Sequence, residues 1–346
     1  MKEKIPAIIG VGSAFPQRVV TNEMVDPMIG GKPGLTDRLM RRIVGIQERR
    51  WVIPGEQTTS DLAVEALNQA LDMAGIEKEA LKSIVVGTSS PDYYGVADAA
   101  IIQDRMGLPV SVRGYDVSAG CTGWAQALKN IFSDISSPYG DGGPQVAIGS
   151  EILSPALNRE ERLSFPLFGD GAGATIADLV EPDNGMDIKP VIRCGVDGKF
   201  AENLCMRAGG SKNPGTIETM AKGWHTLHMD GKEIGEQAPV RMAEVSKRVL
   251  EEANLSIENV TLFIPHQANL SIMKETAGVL NIPESKVIIT IDRYGNTSTA
   301  TIPTALREAW DKGKIKRNDI LLFATFGAGL TFAAGILPMI GLPNKK

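Results

Sequence analysis

The sequence predicts an α/β fold built from two similarly organised halves. Apolar runs typical of buried strands alternate with amphipathic runs typical of helices along the chain. Three blocks of structure then recur in the same order in the second half. One recurring helix–strand unit is common, but three in register indicate a duplication. In such an architecture, equivalent loops of the two halves meet at one face.

The individual elements follow from hydrophobic periodicity. Strands are predicted at Ala7–Gly12, Ile84–Thr88, Gln145–Gly149, Ala172–Leu179, Thr261–Ile264, Val287–Ile291, Ile320–Ala324 and Thr331–Leu337. Helices are predicted at Thr59–Met73, Ala97–Met106, Thr122–Ile135, Val240–Ala253, Ser271–Leu280 and Thr301–Lys312. The glycine-rich stretch Gly140–Gly143 marks a turn.

The repeated blocks define the two halves. An amphipathic helix, an acidic turn and an apolar strand occur from Ser60 and again from Pro239. VRGYDVSAGCTGWAQAL then corresponds to VIITIDRYGNTSTATIPTAL, and FGDGAGATIADL corresponds to FGAGLTFAAGIL. The boundary is predicted near 180–185, which gives an N-terminal half of residues 1–182 and a C-terminal half of residues 183–346.

Composition and charge narrow the class of protein. The 346 residues are 43% hydrophobic, which is typical of a globular chain with a large core. The net charge of −5 argues against a general nucleic-acid or anionic membrane surface. No run reaches the ~18 apolar residues of a membrane span, and the N-terminus is a poor signal peptide. We therefore expect a cytoplasmic protein that binds no nucleic acid.

Cysteine spacing gives neither a disulfide framework nor a zinc site, so reduced thiols and no metal are expected. Four residues are interpreted as structural: Cys194, Cys205, His225 and His228. One basic cluster is either a solvated helix face or the sign of a phosphate-bearing ligand: Arg38, Arg41, Arg42, Arg49 and Arg50.

Cys121 is the candidate nucleophile. It stands at a strand-to-helix turn, DVSAGCTGWA, between Gly120 and Gly123, which allow a sharp turn and the close approach of a substrate. Unpaired backbone N–H groups and the dipole at the start of the next helix favour a thiolate. A lone cysteine of this kind is also compatible with a small core residue.

The duplication brings two more polar residues to the same face. Asn296 stands at the turn that corresponds to the Cys121 turn, and His266 follows the strand that corresponds to Ile84–Thr88. A neutral histidine and an asparagine amide can both donate hydrogen bonds to one developing oxyanion. A backbone N–H of the turn Phe326–Gly329, with that of Cys121, can form a second oxyanion hole. His266 as a structural residue and Asn296 as a helix N-cap are the alternatives.

These motifs resemble the thiolase superfamily and, within it, β-ketoacyl-acyl-carrier-protein synthase III. The resemblance covers nearly the whole chain and is carried by GVGSAFPQRVVTN, VGIQERR, TTSDLAVEAL, DVSAGCTGWAQAL, FGDGAGA, FIPHQAN, DRYGNTSTATIP and FGAGLTFAAGIL. It implies a homodimer of five-layered αβαβα subunits without a cofactor. Cys121 would take an acyl group from an acyl-CoA as a thioester. His266 and Asn296 would stabilise the enolate formed when malonyl-CoA or a malonyl-acyl carrier protein loses CO₂. The backbone N–H groups of Cys121 and Ala328 would bind the oxyanion.

The resemblance also implies substrate contacts and reveals departures from the family pattern. Four residues are carried over as substrate or CoA contacts: Arg162, Asn269, Gly231 and Phe326. The family's adenine-stacking Trp and a nearby nucleotide-binding Arg correspond to Leu39 and Ile43. Two cations of the carrier-docking patch correspond to Ser271 and Glu236, which weakens steering of an acidic carrier protein.

Gly95 replaces a Phe with which the partner subunit closes the acyl pocket in the family. We therefore expect a non-acetyl primer, unless Tyr93 or Tyr94 fills the space. Two alternatives to condensation remain: transfer of the acyl group from Cys121 to an amine or hydroxyl acceptor, and an inactive subunit of a heterodimer. The complete Cys–His–Asn set favours decarboxylative condensation over both.

Overall fold

The structure is a computed structural model that describes residues 3–31, 34–182 and 188–343. Its strands are β1 (Ile5–Ala14), β2 (Val19–Thr21), β3 (Glu48–Arg50), β4 (Ser83–Gly87), β5 (Arg113–Val117), β6 (Gln145–Glu151), β7 (Gly171–Val180), β8 (Val191–Val196), β9 (Leu204–Met206), β10 (Leu227–Met229), β11 (Leu262–Pro265), β12 (Ile320–Gly327) and β13 (Thr331–Pro338). Its α-helices are α1 (Asn22–Val25), α2 (Leu35–Leu39), α3 (Thr59–Ala74), α4 (Asp98–Arg105), α5 (Gly123–Ile135), α6 (Ile217–Ala221), α7 (Gly231–Glu252), α8 (Leu270–Val279), α9 (Ile291–Tyr294) and α10 (Thr301–Asp311).

Two mixed sheets have the same internal order. The first runs β1-β7-β6-β4-β5 and the second runs β8-β13-β12-β11. The corresponding pairs β4 with β6 and β11 with β12 are parallel, and the first sheet adds a further parallel pair, β4 with β5. Antiparallel strands continue both sheets on the other side, β7 and β1 in the first and β13 and β8 in the second. The matching order confirms the predicted duplication.

The sheets and helices form the five expected layers. Helices α5 and α10 lie between the two sheets and share one hydrophobic core with both. Helices α3 and α4 cover the outer face of the first sheet, and α7 and α8 cover the outer face of the second. No helix in the described ranges combines the length and apolarity needed to cross a membrane. The boundary predicted between the halves stays a prediction, because residues 183–187 lie outside the described ranges.

The strand prediction for Val287–Ile291 was wrong. The segment makes only an isolated parallel bridge to Phe263 on β11, which is where a fifth strand would lie. The buried side chain of Gln267 replaces the missing ladder: its Oε1 accepts the N–H of Thr290 at 2.8 Å, and its Nε2 donates to the carbonyl of Ile288 at 3.1 Å. One side chain thus makes the hydrogen bonds that a neighbouring strand would have made to these backbone groups. The chain then continues into α9.

Helix α7 begins nine residues earlier than predicted, at Gly231 instead of Val240, and contains Pro239. Proline removes a backbone donor and is uncommon inside a helix. Asp230 caps the helix by accepting the N–H of Glu233 at 3.2 Å. The buried proline side chain packs against the core. The longer helix brings Gly231 to the mouth of the cleft described below.

Candidate active site

Cys121 lies where β5 leads into α5, as predicted. One 3₁₀ turn, Gly120–Thr122, carries it, and α5 begins at Gly123. Gly120 has φ +52°, and a Cβ there would lie 2.7 Å from the nitrogen of Ala328. Glycine therefore permits the close approach of the FGAG turn. The Cys121 side chain is only 7% exposed and lines a cavity of about 210 Å³.

The FGAG turn packs directly on the backbone of Cys121. A Cβ on Gly327 would lie 2.5 Å from the Cys121 nitrogen, and the hydroxyl of Thr325 donates to the Cys121 carbonyl at 3.2 Å. Ala328 lines the same cavity as Cys121. This arrangement is compatible with the predicted oxyanion hole of the Cys121 and Ala328 N–H groups, which stays a prediction.

Ser298 connects the three candidate catalytic side chains. Its N–H donates to Asn296 Oδ1 at 2.8 Å, and its Oγ lies 3.3 Å from Cys121 Sγ. Its carbonyl accepts a hydrogen bond from Thr301 Oγ1 at 3.0 Å, and Thr301 Oγ1 lies 2.7 Å from His266 Nδ1. Ser298 has φ +51°, a backbone conformation that is uncommon outside glycine and often found at functional sites. The structure thus brings together the residues that the duplication predicted to meet.

His266 and Asn296 each have one side-chain nitrogen without a hydrogen-bond partner among the described residues. Thr301 occupies His266 Nδ1, and the ring packs edge-on against Phe326 at 5.4 Å. Burial lowers the pKa of His266 to about 3, so the imidazole is neutral at pH 7. Asn296 Oδ1 accepts the N–H of Ser298, which leaves Nδ2 as a donor without a partner among the described residues. The helix N-cap that the sequence allowed is not formed, because the 3₁₀ turn Ser298–Ala300 has Thr297 at its N-cap and no side-chain cap hydrogen bond.

The expectation of a resting thiolate at Cys121 was wrong. The pKa of the thiol is raised to about 12, chiefly by burial and also by the negative charge of Glu151, while the Ser298 hydroxyl acts in the opposite direction. The start of a helix does not offset the removal of the thiolate from water. The thiol is therefore protonated at neutral pH before a substrate binds, and acyl transfer needs a proton acceptor.

Glu151 is a buried acid that the sequence analysis did not single out. It ends β6 and is fully buried. Its Oε1 lies 3.2 Å from Ser298 Oγ; the Ser89 N–H and the Ser90 hydroxyl also donate to its carboxylate, at 3.1 and 2.5 Å. Burial raises the pKa of Glu151 to about 7. The available signal was a single glutamate inside the apolar run QVAIGSEIL.

A second, outer cleft of about 660 Å³ collects three of the four predicted substrate contacts: Arg162, Gly231 and Asn269. The fourth, Phe326, lies deeper, against His266. Leu39 and Ile43 line the same cleft, so the positions aligned with the family's nucleotide contacts do lie there. The apolar side chain of Ile43 is 54% exposed, so this side of the cleft presents an apolar surface.

Two residues interpreted as structural also face these cavities. Cys205 lines the cavity of Cys121. His228 lines the outer cleft, where its Nδ1 lies 3.1 Å from Glu161 Oε1. The sequence did not reveal either position, because Cys205 lies on β9 and His228 on β10, two short strands that were not predicted and that pair these two residues with each other.

The arginines of the basic cluster differ in their burial. Arg49 is buried and donates hydrogen bonds to carbonyl groups of the surrounding chain, including that of Pro166 at 2.7 Å. Arg41 pairs with Asp37 on the surface of α2. Arg38 and Arg42 are exposed and adjoin Leu39 and Ile43 of the outer cleft in sequence. The interpretation as a solvated face holds for Arg41.

Gly95 lies on an exposed turn between β4 and α4. Its φ is +88°, and no atom of the described residues lies within 4 Å of a Cβ built there, apart from its chain neighbours. Tyr94 of the same loop lines the cavity of Cys121, and both Tyr94 and Tyr93 are largely exposed, at 83% and 67%. The role predicted for Gly95 in a partner's acyl pocket stays a prediction.

Comparison with known proteins identifies the family of the chain. Residues 115–190 match the family model 3-Oxoacyl-[acyl-carrier-protein (ACP)] synthase III, and residues 250–339 match the model of its C terminal part. A beta-ketoacyl-[acyl-carrier-protein] synthase III of Caldanaerobacter subterraneus subsp. tengcongensis is 38% identical over 341 residues, which are 97% of this chain and 99% of that protein.

Solved structures give the same result. The 3-oxoacyl-[acyl-carrier-protein] synthase III of Aquifex aeolicus superposes with a TM-score of 0.83 at 34% identity, covering 96% of this chain and 99% of the other. A priming beta-ketosynthase of a polyketide biosynthetic pathway superposes with a TM-score of 0.87 at 28% identity, covering 99% and 98%. The chain belongs to the β-ketoacyl-[acyl-carrier-protein] synthase III family of condensing acyltransferases.

Proposed function

We propose that Cys121 accepts an acyl group from an acyl-CoA and that the enzyme condenses it with a malonyl thioester to a β-ketoacyl product. The observation that carries this proposal is the hydrogen-bonded set around Ser298, which joins a thiol, a neutral imidazole and an asparagine amide. In the first half-reaction, Cys121 Sγ attacks the thioester carbonyl. The bond to the donor's sulfur breaks, and the donor leaves as a thiol.

In the second half-reaction, the malonyl carboxylate leaves as CO₂ and its electron pair forms an enolate on the remaining thioester. His266 Nε2 and Asn296 Nδ2 donate hydrogen bonds to the enolate oxygen. The carbanion then attacks the acyl carbonyl on Cys121 and displaces the sulfur. The N–H groups of Cys121 and Ala328 stabilise the oxyanion of that step. The reaction as proposed uses no cofactor.

The low pKa of His266, about 3, suits this role. A neutral imidazole donates a hydrogen bond without protonating the enolate, so the carbanion is preserved for attack on the acyl group. Donation from Nε2 requires that Nδ1 carry no proton and accept a hydrogen bond. Thr301 meets this requirement when its hydroxyl proton turns from the Ser298 carbonyl toward Nδ1.

A primer longer than acetyl is supported by the cavity of Cys121. Its volume of about 210 Å³ is several times the ~30 Å³ that one water molecule occupies in the liquid. Its walls are mostly apolar and include Leu153, Phe168, Leu204 and Leu227. An aliphatic chain on the thiol would replace water there and gain hydrophobic stabilisation.

A homodimer is supported by an open sheet edge. Strand β5 ends the first sheet, and its first two residues, Arg113 and Gly114, are exposed. The nearby loop presents Tyr93 and Val96 to solvent. A second copy that covers this edge would also bring its Gly95 loop toward the acyl cavity. For the donor, exposed Arg38 and Arg42 beside the outer cleft favour a phosphate-bearing thioester such as an acyl-CoA.

Two assays test the proposal. The first is intact-protein mass after incubation with acyl-CoAs from acetyl to dodecanoyl, with Cys121→Ala as control. We expect a mass increase that the variant loses. The second is release of ¹⁴CO₂ from malonyl-CoA and from a malonyl-acyl carrier protein. Asn296→Ala should lose CO₂ release far more than acylation, because Nδ2 acts on the enolate and Oδ1 only holds the N–H of Ser298.

The outcomes separate the alternatives. An acylated Cys121 without CO₂ release from either malonyl donor would contradict condensation and favour transfer to an amine or hydroxyl acceptor. A folded protein that no acyl-CoA modifies would contradict the acyl-CoA donor. A gel-filtration mass of one subunit would contradict the homodimer.

A further inference from the structure

The proposed acyl transfer releases the proton of the Cys121 thiol, and none of the residues assigned so far accepts it. The thiol of Cys121 is protonated at rest and must lose its proton as sulfur attacks the donor. Direct transfer to His266 is unfavourable, because burial keeps the pKa of that imidazole at about 3. Its Nδ1 is moreover occupied by Thr301.

A buried carboxylate lies one hydroxyl away from the thiol. Ser298 Oγ is 3.3 Å from Cys121 Sγ and 3.2 Å from Glu151 Oε1. A hydroxyl can accept one hydrogen bond while it donates another. The neutral thiol can therefore donate to Ser298 Oγ while the Ser298 O–H donates to Glu151, which forms a continuous path for one proton.

The carboxylate is held in place by its other contacts. The Ser89 N–H and the Ser90 hydroxyl both donate to it, so it accepts from three directions and is fixed toward Ser298. Among the titratable groups on neighbouring elements, His266 is neutral. Asp170 lies close by, since it precedes the Gly171 that pairs with Glu151 in the sheet. Its carboxylate accepts hydrogen bonds from the N–H groups of Val52, Leu153 and Ser154.

We propose that Ser298 and Glu151 relay the proton of the Cys121 thiol during acyl transfer. Ser298 touches the reacting sulfur and is a catalytic residue, whereas Glu151 acts through it as a positioning residue. As Sγ bonds to the acyl carbon, its proton passes to Ser298 Oγ and the Ser298 proton passes to Glu151 Oε1. When the bond to the donor's sulfur breaks, Glu151 returns a proton to Ser298 Oγ, and Ser298 Oγ passes its own proton to the leaving sulfur. The inference rests on the acyl-transfer step of the proposed function.

The relay and simple electrostatics predict opposite effects of Glu151→Gln. The negative charge of Glu151 raises the pKa of the thiol, so its removal alone would make Cys121 more reactive at neutral pH. Loss of a proton acceptor makes Cys121 less reactive. A positioned base contributes about 10²–10⁴ in rate, so we expect acylation by hexanoyl-CoA at pH 8 to slow at least ~100-fold in Glu151→Gln.

The pH profile provides a second readout. In the relay, the thiol of Cys121 and the carboxylate of Glu151 share one proton. The fraction of protein molecules in which Glu151 holds this proton, and the sulfur is therefore ionised, does not change with pH until the pair loses the proton. The rate of wild-type Cys121 should rise up to about pH 7, where Glu151 ionises, and then stay level to about pH 9. In Glu151→Gln it should rise about tenfold per pH unit from 7 to 9, following the thiolate fraction.

Iodoacetamide makes this test independent of the acyl donor. Its alkylation of Cys121, followed by intact mass at pH 5.5–9 with Cys121→Ala as blank, should show the same level region in the wild type and the same steady rise in Glu151→Gln. A level alkylation profile without acylation by any acyl-CoA would support the relay and contradict the proposed function. Acylation with the same rate and profile in wild type and Glu151→Gln would overturn the relay and leave the proposed function standing.

Two further variants test the relay if Glu151→Gln does not fold. Ser298→Ala keeps the carboxylate but removes the path, so its profile should also rise steadily. Ser90→Ala removes a donor that stabilises the carboxylate, so its profile should keep the level region but begin it at a higher pH. A level region beginning at the wild-type pH in both variants would overturn the relay.

Discussion

Thr301→Val tests whether the Thr301 hydroxyl selects the working form of His266. The side chain is buried, and its hydroxyl lies 2.7 Å from His266 Nδ1 and 3.0 Å from the Ser298 carbonyl. Valine has nearly the same shape but cannot hydrogen-bond. Leaving a buried ring nitrogen without a partner costs about 1–3 kcal/mol, which we expect as a loss in the free energy of unfolding measured in urea.

The functional effect should be confined to the enolate step. Without a donor at Nδ1, the imidazole proton is no longer held on Nε2, and one donor to the enolate is weakened. Loss of one oxyanion donor typically lowers kcat about 10²–10³-fold. We therefore expect ¹⁴CO₂ release from the malonyl thioester to fall about 100-fold, while acylation of Cys121, read by intact mass, changes little.

Thr304→Val is the matched control. Thr304 lies on the same helix and is also buried, and its hydroxyl donates to the backbone carbonyl of Ala300 at 2.7 Å. This variant should lose some stability but keep CO₂ release. Unchanged CO₂ release in a folded Thr301→Val, or an equal fall in Thr304→Val, would refute the assignment of Thr301.

Four further predictions concern the turn, the histidine, the cleft and the acyl pocket. Gly120→Ala places a Cβ 2.7 Å from the Ala328 nitrogen at φ +52°. We expect a loss of about 1–2 kcal/mol from the backbone conformation alone and a strong fall in acylation by mass. Wild-type acylation in this variant would contradict the tight fit of the two turns. The pKa of His266 is lower in the folded protein than in the unfolded chain. Its contribution to stability is therefore complete above about pH 6.5 and declines as pH falls toward 3. Urea midpoints should accordingly fall less in His266→Asn than in wild type between pH 6.5 and 4.5, and parallel curves would argue against a neutral buried imidazole. Ile43→Arg adds a cation at the outer cleft. It should lower KM for acyl-CoA about two- to fivefold, as a partly exposed ion pair allows, without affecting an acyl-pantetheine donor; an equal change for both donors would place the CoA phosphates elsewhere. Gly95→Phe restores a large side chain, so the best acyl-CoA in the mass assay should become shorter, and an unchanged preference would remove Gly95 from the acyl pocket.

Local patterns in the sequence were sufficient for the fold and for the location of the candidate site. Strand, turn and helix are encoded over short stretches, and the repetition of three such blocks implied two equivalent sheets with their loops at one face. This placed Cys121, His266 and Asn296 together, because each follows a strand position of the repeat. The pattern failed where one side chain substituted for a ladder, as Gln267 does beside β11, and where Pro239 was retained inside a helix.

The chemistry of the thiol was decided by tertiary structure. Ser298 and Cys121 are 177 residues apart in sequence, and Ser298 and Glu151 are 147 apart, so no local pattern could pair them. The protonation state of Cys121 depends on removal from water, which is a property of the packed site. A sequence specifies which groups stand at the ends of its strands and helices. Which of them share a dry cavity, and therefore which one can take a proton from another, emerges only when the two halves pack together.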